Sequence, residues 1–344
     1  MKLKRIGVDL AKNVFQIHGV DSHEQARIKK QVKRKEMLHC FRQIEPCRVA
    51  MEACGGAHYW ARELGKLGHE VKLIAPQFVK PYVKSGKNDA NDAEAICEAA
   101  SRPIMRYVEI KTAEQQAWQS LHRVRSRLIK SRTALVNEIR GLLSEFGIIT
   151  VVKGVPACQR LVSAALEDGE NSLPGQMREL LALLSEELEQ KNVHLATLDG
   201  KIKHQCAQDE RTKRLMEIEG IGPISASAIV AAVGDARQFK NGRNLAAWIG
   251  LVPKQHSSGG KERLGSITKK GDAYLRTLLI HGASAAVNAC TEKTDRKSEW
   301  IRNMIARRNK NVATVALANK NARVIWAVLS RDEPYRPAAS TVAA

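Results

Sequence analysis

Paired cysteines are missing from this chain. Its seven cysteines include no Cys-x-x-Cys, and Cys40, Cys47 and Cys54 recur at intervals of seven residues. That spacing suits neither a zinc ribbon nor a disulfide scaffold, so the thiols are expected to be reduced and mostly buried, as in a cytoplasmic protein. Apolar runs of membrane-spanning length are missing too, which excludes a helical membrane protein. The N-terminus enters a strand pattern directly, and no signal peptide is expected. Acidic charge is in deficit: 56 Lys and Arg stand against 36 Asp and Glu, a formal charge of +20. That is high for an ordinary metabolic enzyme and fits a polyanion partner, most simply nucleic acid.

What is present describes a globular chain. Its 344 residues are enough for two or three domains, and 44% hydrophobic and 27% charged content is incompatible with general disorder. The charge is uneven. Residues 201–344 hold 25 Lys and Arg against 12 Asp and Glu, a net of +13, leaving +7 for residues 1–200.

The first hundred residues read as alternating strands and helices. Strands are expected at 4–10, 14–20, 48–53, 70–74 and 107–110, and helices at 29–43, at 58–67 with Trp60, Leu64 and Leu67 inward, and after Asn88. Asn88 or Asp89 can cap that last helix, which places Asp89 and Asp92 on one face of its first turn. Adjacent carboxylates tolerate each other when a cation sits between them, when one is protonated, or when both point into water. Asp9 and Glu52, each closing a strand, can complete a cation site. Either alone reads equally as a surface or capping acid. The four in this order fit a ribonuclease-H-like α/β domain, in which carboxylates converge at one sheet edge and hold Mg2+ for phosphodiester chemistry.

Residues 112–146 carry one apolar stripe through Trp118, Leu121, Val124, Leu128, Leu135, Ile139 and Leu142, with Arg123, Arg125, Arg127, Lys130 and Arg132 assigned to the other face. A second long helix is expected from Met177 to Cys206. The pair predicts an antiparallel helical hairpin, or a coiled coil that also pairs subunits. Arg123, Arg127 and Lys130 are candidate phosphate contacts, because no acids interleave them.

Two further segments carry chemistry. Glu219-Gly220-Ile221-Gly222-Pro223 joins two helical patterns and resembles a helix-hairpin-helix, in which amides after Gly220 and Gly222 can hold a phosphate; a plain tight turn fits the same residues. Downstream, Ser258 precedes Gly259-Gly260 in a segment flanked by Lys254, Lys261, Arg263, Lys269 and Lys270. A serine hydroxyl needs a base or a cation to act as a nucleophile, and only His256 is near in sequence; on chemistry alone Ser258 reads as a loop serine. The C-terminal region is mainly helical, with Arg307 and Arg308 on a candidate nucleic-acid face and disorder expected from about Pro334.

Four segments in order, GVDLAK at 7–12, MEACGGAHYW at 51–60, KNDANDAEAI at 87–96 and GLVPKQHSSGGKERLGSITKKGDAYLRTLL at 250–279, resemble the DEDD-type insertion-sequence transposases with a catalytic serine, relatives of the pilin-gene DNA invertases. The resemblance runs along nearly the whole chain. It implies a ribonuclease-H-like domain over 1–110, a helical hairpin over 111–206, a C-terminal serine transposase domain over 207–333 and a tail over 334–344. It implies that Asp9, Glu52, Asp89 and Asp92 bind magnesium and that Ser258 is the nucleophile, with Ser257 the alternative. It further implies a covalent phosphoserine link to DNA, a structured guide RNA that base-pairs with donor and target DNA, and dimers that join into tetramers at the bacterial nucleoid. The competing reading from the same acids is a metal-dependent junction-resolving nuclease that needs no serine. A non-catalytic nucleic-acid scaffold is a third.

Overall fold

The computed structural model describes residues 2–84 and 88–336. The chain is a mixed α/β protein that divides into two compact units, Met1–Gln116 and Ala117–Ala344. Lys87 and the last eight positions of the expected disordered tail lie outside the described residues.

The first unit is built on a six-stranded mixed sheet. Its strands are β1 (Arg5–Leu10), β2 (Val14–Val20), β3 (Ala26–Lys33), β4 (Arg48–Glu52), β5 (Glu70–Ile74) and β6 (Tyr107–Val108), and the spatial order is β3-β2-β1-β4-β5-β6. β1 pairs antiparallel with β2 and parallel with β4. The helices are α1 (Met37–Arg42), α2 (Ala57–Lys66), α3 (Pro76–Val79) and α4 (Asp89–Ala99). Alternation along the strands separates two layers. Ile6, Val8, Val49 and Met51 pack with Met37, Phe41, Trp60 and Leu64 of α1 and α2. Ala50 and Ile74 pack instead with Val79, Ala95 and Ile96 of α3 and α4. Arg5, Gly7 and Asp9 therefore face α4.

One expectation fails here. Residues 29–43 are not one helix: β3 runs to Lys33 and α1 begins only at Met37. Lys29, Lys30 and Lys33 suit a helix by propensity, but antiparallel pairing with β2 from Val14↔Lys33 to Val20↔Ala26 decides the conformation. β3 is an edge strand, and its exposed lysines keep that edge from pairing with other chains.

The second unit is helical apart from one ribbon. Two long helices, α5 (Ala113–Ser144) and α7 (Gly175–Gln208), flank α6 (Val155–Glu167). They run antiparallel: Arg125 pairs with Asp199, and Arg132 Nη1 donates to Asn192 Oδ1 at 3.1 Å. Leu181, Leu188, Leu195 and Ile202 are buried along α7 at heptad spacing. α6 went unread in the sequence, because Gly154-Val155-Pro156 looks like a break; here Pro156 sits in the helix's first turn, where a missing N–H costs nothing.

The remaining elements are α8 (Glu210–Met216), α9 (Pro223–Val233), α10 (Gly242–Ile249), β7 (Pro253–Gln255), β8 (Leu264–Ile267), α11 (Ala273–Asn288), α12 (Arg296–Arg307) and α13 (Lys310–Arg331). α9 is buried on all sides, as its Ala- and Ile-rich sequence requires, and forms one core with α8, α10, α11 and α13. The turn before α9 packs backbone to backbone on α11: a Cβ on Gly220 would lie 2.6 Å from the Gly282 carbonyl oxygen.

Candidate active site and nucleic-acid surfaces

The acid group is assembled by a close approach of backbones. A Cβ on Gly7 would lie 2.3 Å from the Ala93 carbonyl oxygen, so only glycine lets β1 and α4 meet. Two residues on, Asp9 faces the first turn of α4. That turn is set by Asn88, whose side chain accepts the Ala90 amide at 3.0 Å. Asp89 and Asp92 occupy it, where the helix dipole favours negative charge. One carboxylate oxygen from each of Asp9, Asp89 and Asp92 lies within 4.8 Å of the others.

Glu52 ends β4 beside β1, one position beyond the Val8↔Met51 pair, and shares the α4 face with Asp9. It lies outside the three-oxygen group, yet its charge is felt there. Burial, then Asp92, Asp89 and Glu52, push the Asp9 carboxyl up to about 6. Burial and Asp92 also raise Glu52. Among the described residues none of the four forms an ion pair. Hard carboxylate oxygens, half-buried at Asp9, Glu52 and Asp92 and exposed at Asp89, are a donor set that fits a divalent cation such as Mg2+ or Mn2+.

Ser258 lies in the other unit, at the tip of the β7–β8 ribbon. The base of the ribbon is held rigidly. A Cβ on Gly271 would lie 1.8 Å from the Trp248 carbonyl oxygen, and one on Gly250 would lie 2.0 Å from that of Lys270. Both glycines have positive φ, at +94° and +82°. At the tip, Ser257 Oγ accepts the Arg263 amide at 3.2 Å and the Gln255 side chain at 3.1 Å. Ser258 uses its backbone carbonyl to close the turn on the Lys261 amide at 3.1 Å, and its hydroxyl makes no hydrogen bond among the described residues.

The basic candidates separate by exposure. Lys254, Lys261, Arg263, Lys269 and Lys270 are exposed on the ribbon or at its base, and Arg307 and Arg308 are exposed at the end of α12. On α5, Arg123, Arg127 and Lys130 are exposed. Arg125 and Arg132, which the sequence placed with them, turn inward to Asp199 and Asn192. Gly222 is exposed at the cap of α9, whereas the Cα of Gly220 is occupied by packing on Gly282.

Sequence reasoning also missed a buried polar junction in the second unit. His122 on α5 contacts Ser227 Oγ of α9 at 3.0 Å and the Tyr274 hydroxyl of α11 at 3.2 Å. Ser227 donates to the Pro223 carbonyl at 2.8 Å. The His122 Nε2–H therefore donates to Ser227, and Nδ1 accepts from Tyr274. The only signal in the sequence was a histidine on an apolar stripe.

Comparison with known proteins places this architecture. A transposase family model with a DEDD domain matches residues 6–148, and a model described as "Transposase IS116/IS110/IS902 family" matches residues 212–299. A "Probable family 20 transposase" of Pseudomonas aeruginosa is 60% identical over 98% of this chain and 100% of its own length. The chain belongs to the IS116/IS110/IS902 family of transposases. Two further relatives of this transposase are named for their elements. The transposase for insertion sequence element IS1111A of Coxiella burnetii is 46% identical, covering 97% of this chain and 92% of its own. That for IS1328 of Yersinia enterocolitica is 40% identical, covering 96% and 98%. The two family models contain, respectively, the acid group and the turn before α9 together with the Ser258 ribbon. No helix among the described residues of the transposase is long and apolar enough to cross a membrane.

Proposed function

We propose that this insertion-sequence transposase cuts and rejoins DNA through a covalent serine intermediate, with Ser258 the nucleophile and Asp9, Glu52, Asp89 and Asp92 the holders of Mg2+. The observation that carries the reading is the division of labour between neighbouring serines. The Ser257 hydroxyl is committed to holding the ribbon, and the Ser258 hydroxyl is uncommitted on a basic, exposed tip.

The bound cation would supply charge neutralisation at the phosphate under attack. The chain's own residues do the rest. Ser258 Oγ attacks a DNA phosphorus as one P–O ester bond breaks, so a diester is exchanged for a diester and the bond energy is kept for rejoining. His256, two residues before Ser258, is the imidazole of this segment that would take the serine proton and return it to the leaving deoxyribose oxygen. Lys254, Lys261, Arg263, Lys269 and Lys270 would hold the flanking phosphates, and Arg123, Arg127, Lys130, Arg307 and Arg308 would extend the track. The amide at exposed Gly222 would contribute a backbone phosphate contact in the manner of a helix-hairpin-helix, with Gly220 holding the turn on α11. A structured guide RNA would read sequence by base pairing, in keeping with a diffuse +20 charge. Dimers joining into tetramers would bring two sets of ends together, with the α5–α7 hairpin available for pairing.

The deciding experiment is a trap. Protein, Mg2+, guide RNA and labelled element-end DNA are mixed, quenched in detergent and digested. A DNA adduct on tryptic peptide 255–261, sequenced to Ser258 and lost in Asp9→Ala, is the expected result. Cleaved DNA without a protein adduct would establish the junction-resolving nuclease instead.

A further inference from the structure

A second basic site lies in the first unit, on the face of the sheet away from the acids. Asn13 in the β1–β2 turn, the end of β3 and the start of α2 enclose a cleft of about 740 Å³. Lys33, Arg34 and Lys35 line it together with Tyr59 and Trp60. None of the residues lining it is a carboxylate.

Its geometry is fixed from below. The Arg34 amide donates to the Asn13 carbonyl at 2.8 Å, and its guanidinium lies 5.3 Å from the Trp60 ring centroid and 5.8 Å from that of Phe15. Trp60 is 5% exposed, and its Nε1 has no acceptor among the described residues. A buried indole N–H without a partner is costly and rare. Tyr59 sits edge to face on Trp60 and is 44% exposed, leaving aromatic surface free. Exposed Lys29 and Lys30 continue the positive charge along the β3 edge.

We infer that this cleft binds an unpaired nucleotide of a single-stranded nucleic acid. The exposed ring of Tyr59, backed by buried Trp60, receives the base, and Lys33, Arg34 and Lys35 receive the flanking phosphates. A duplex fits poorly, since its bases are stacked inside and cannot reach an aromatic wall, whereas splayed single strands combine stacking with backbone charge. The cleft opens at the same strand ends as Asp9 and Glu52, on the opposite face of the sheet. The inference rests on the reading of this chain as a nucleic-acid recombinase.

The test uses the full-length protein in EDTA, with single-stranded DNA, single-stranded RNA and duplex DNA of one sequence. Iodouracil-substituted strands are crosslinked by light, and the crosslinked peptides are sequenced. The expected crosslink falls on tryptic peptide 49–62 at Tyr59, from DNA, RNA or both; the arm that crosslinks names the strand. Tyr59→Ala should weaken single-strand affinity about ten-fold. Lys33→Ala/Lys35→Ala should lower the slope of log affinity against log salt by about 1.4. Folding of each variant is checked by circular dichroism. Unchanged affinity within two-fold in both folded variants, no crosslink on that peptide, or equal competition by polyglutamate would overturn the inference. Strand exchange is read separately. A crosslink without DNA rejoining would remove the recombinase reading and keep the site, and rejoining without the crosslink would do the reverse.

Discussion

Gly220 and Gly282 meet backbone to backbone: a Cβ on Gly282 would lie 1.8 Å from the Gly220 carbonyl oxygen. The glycine turn before α9 is therefore locked onto α11 by the absence of two side chains. Gly282→Ala should destabilise the protein by at least about 2 kcal/mol, because the obstacle is backbone that no rotamer change can relieve. Gly222→Ala, where nothing lies within 4 Å, should cost under about 1 kcal/mol. Thermal melts of the two variants side by side make the comparison.

Burial and mutual repulsion disfavour the charged form within the acid group. The Asp9 carboxyl is pushed from 3.8 up to about 6 by burial and the neighbouring carboxylates, so the folded state binds its proton more tightly than the unfolded chain. Stability from this residue is greatest below pH 3.8, falls as pH rises, and the full penalty is present above 6. Asp9→Asn should stabilise the metal-free protein at pH 7.5 by about 1–3 kcal/mol, the upper figure reduced by solvent screening. Adding Mg2+ or Mn2+ should raise the melting temperature of the wild type more than that of the variant. An equal rise in both would show that the cation binds elsewhere.

His122 gives the opposite dependence. Burial, with Arg125 nearby, holds its imidazole down to about 4, so the fold favours the neutral ring. The unfolded chain takes a proton from about pH 6.5 downward, and stability is lost from there until the penalty is complete near pH 4. The loss should reach up to about 3 kcal/mol. Denaturant unfolding across that window should show a steeper acid loss in wild type than in His122→Gln, which cannot be protonated.

The neighbouring serines should separate cleanly. Ser257→Ala removes hydrogen bonds within the ribbon, worth about 1 kcal/mol each, and should slow strand exchange by about ten-fold. Ser258→Ala should abolish strand exchange and leave DNA binding intact. Full exchange by Ser258→Ala would exclude Ser258, and full exchange by both variants would end the serine mechanism.

Strand ends, helix caps and motif order were legible in the sequence because they depend on local chemistry. Asn88 capping α4, β1 and β4 ending beside their acids, and the long apolar repeats of α5 and α7 all follow from side-chain period and backbone preference. What needed the tertiary structure was partnership. Lys29 to Lys33 became a strand because β2 offered an edge. Arg125 and Arg132 left the basic face because α7 brought Asp199 and Asn192 within reach, a difference that a helical repeat broad enough to admit either face does not encode. Gly7 looked like an ordinary strand glycine until α4 lay against it, and Ser257 could be told from Ser258 only once Arg263 had folded back to take one hydroxyl. Local sequence determines most of the elements and their caps; contacts between residues far apart in the chain decide an ambiguous edge such as β3, and which side chains are occupied and which are left free to react.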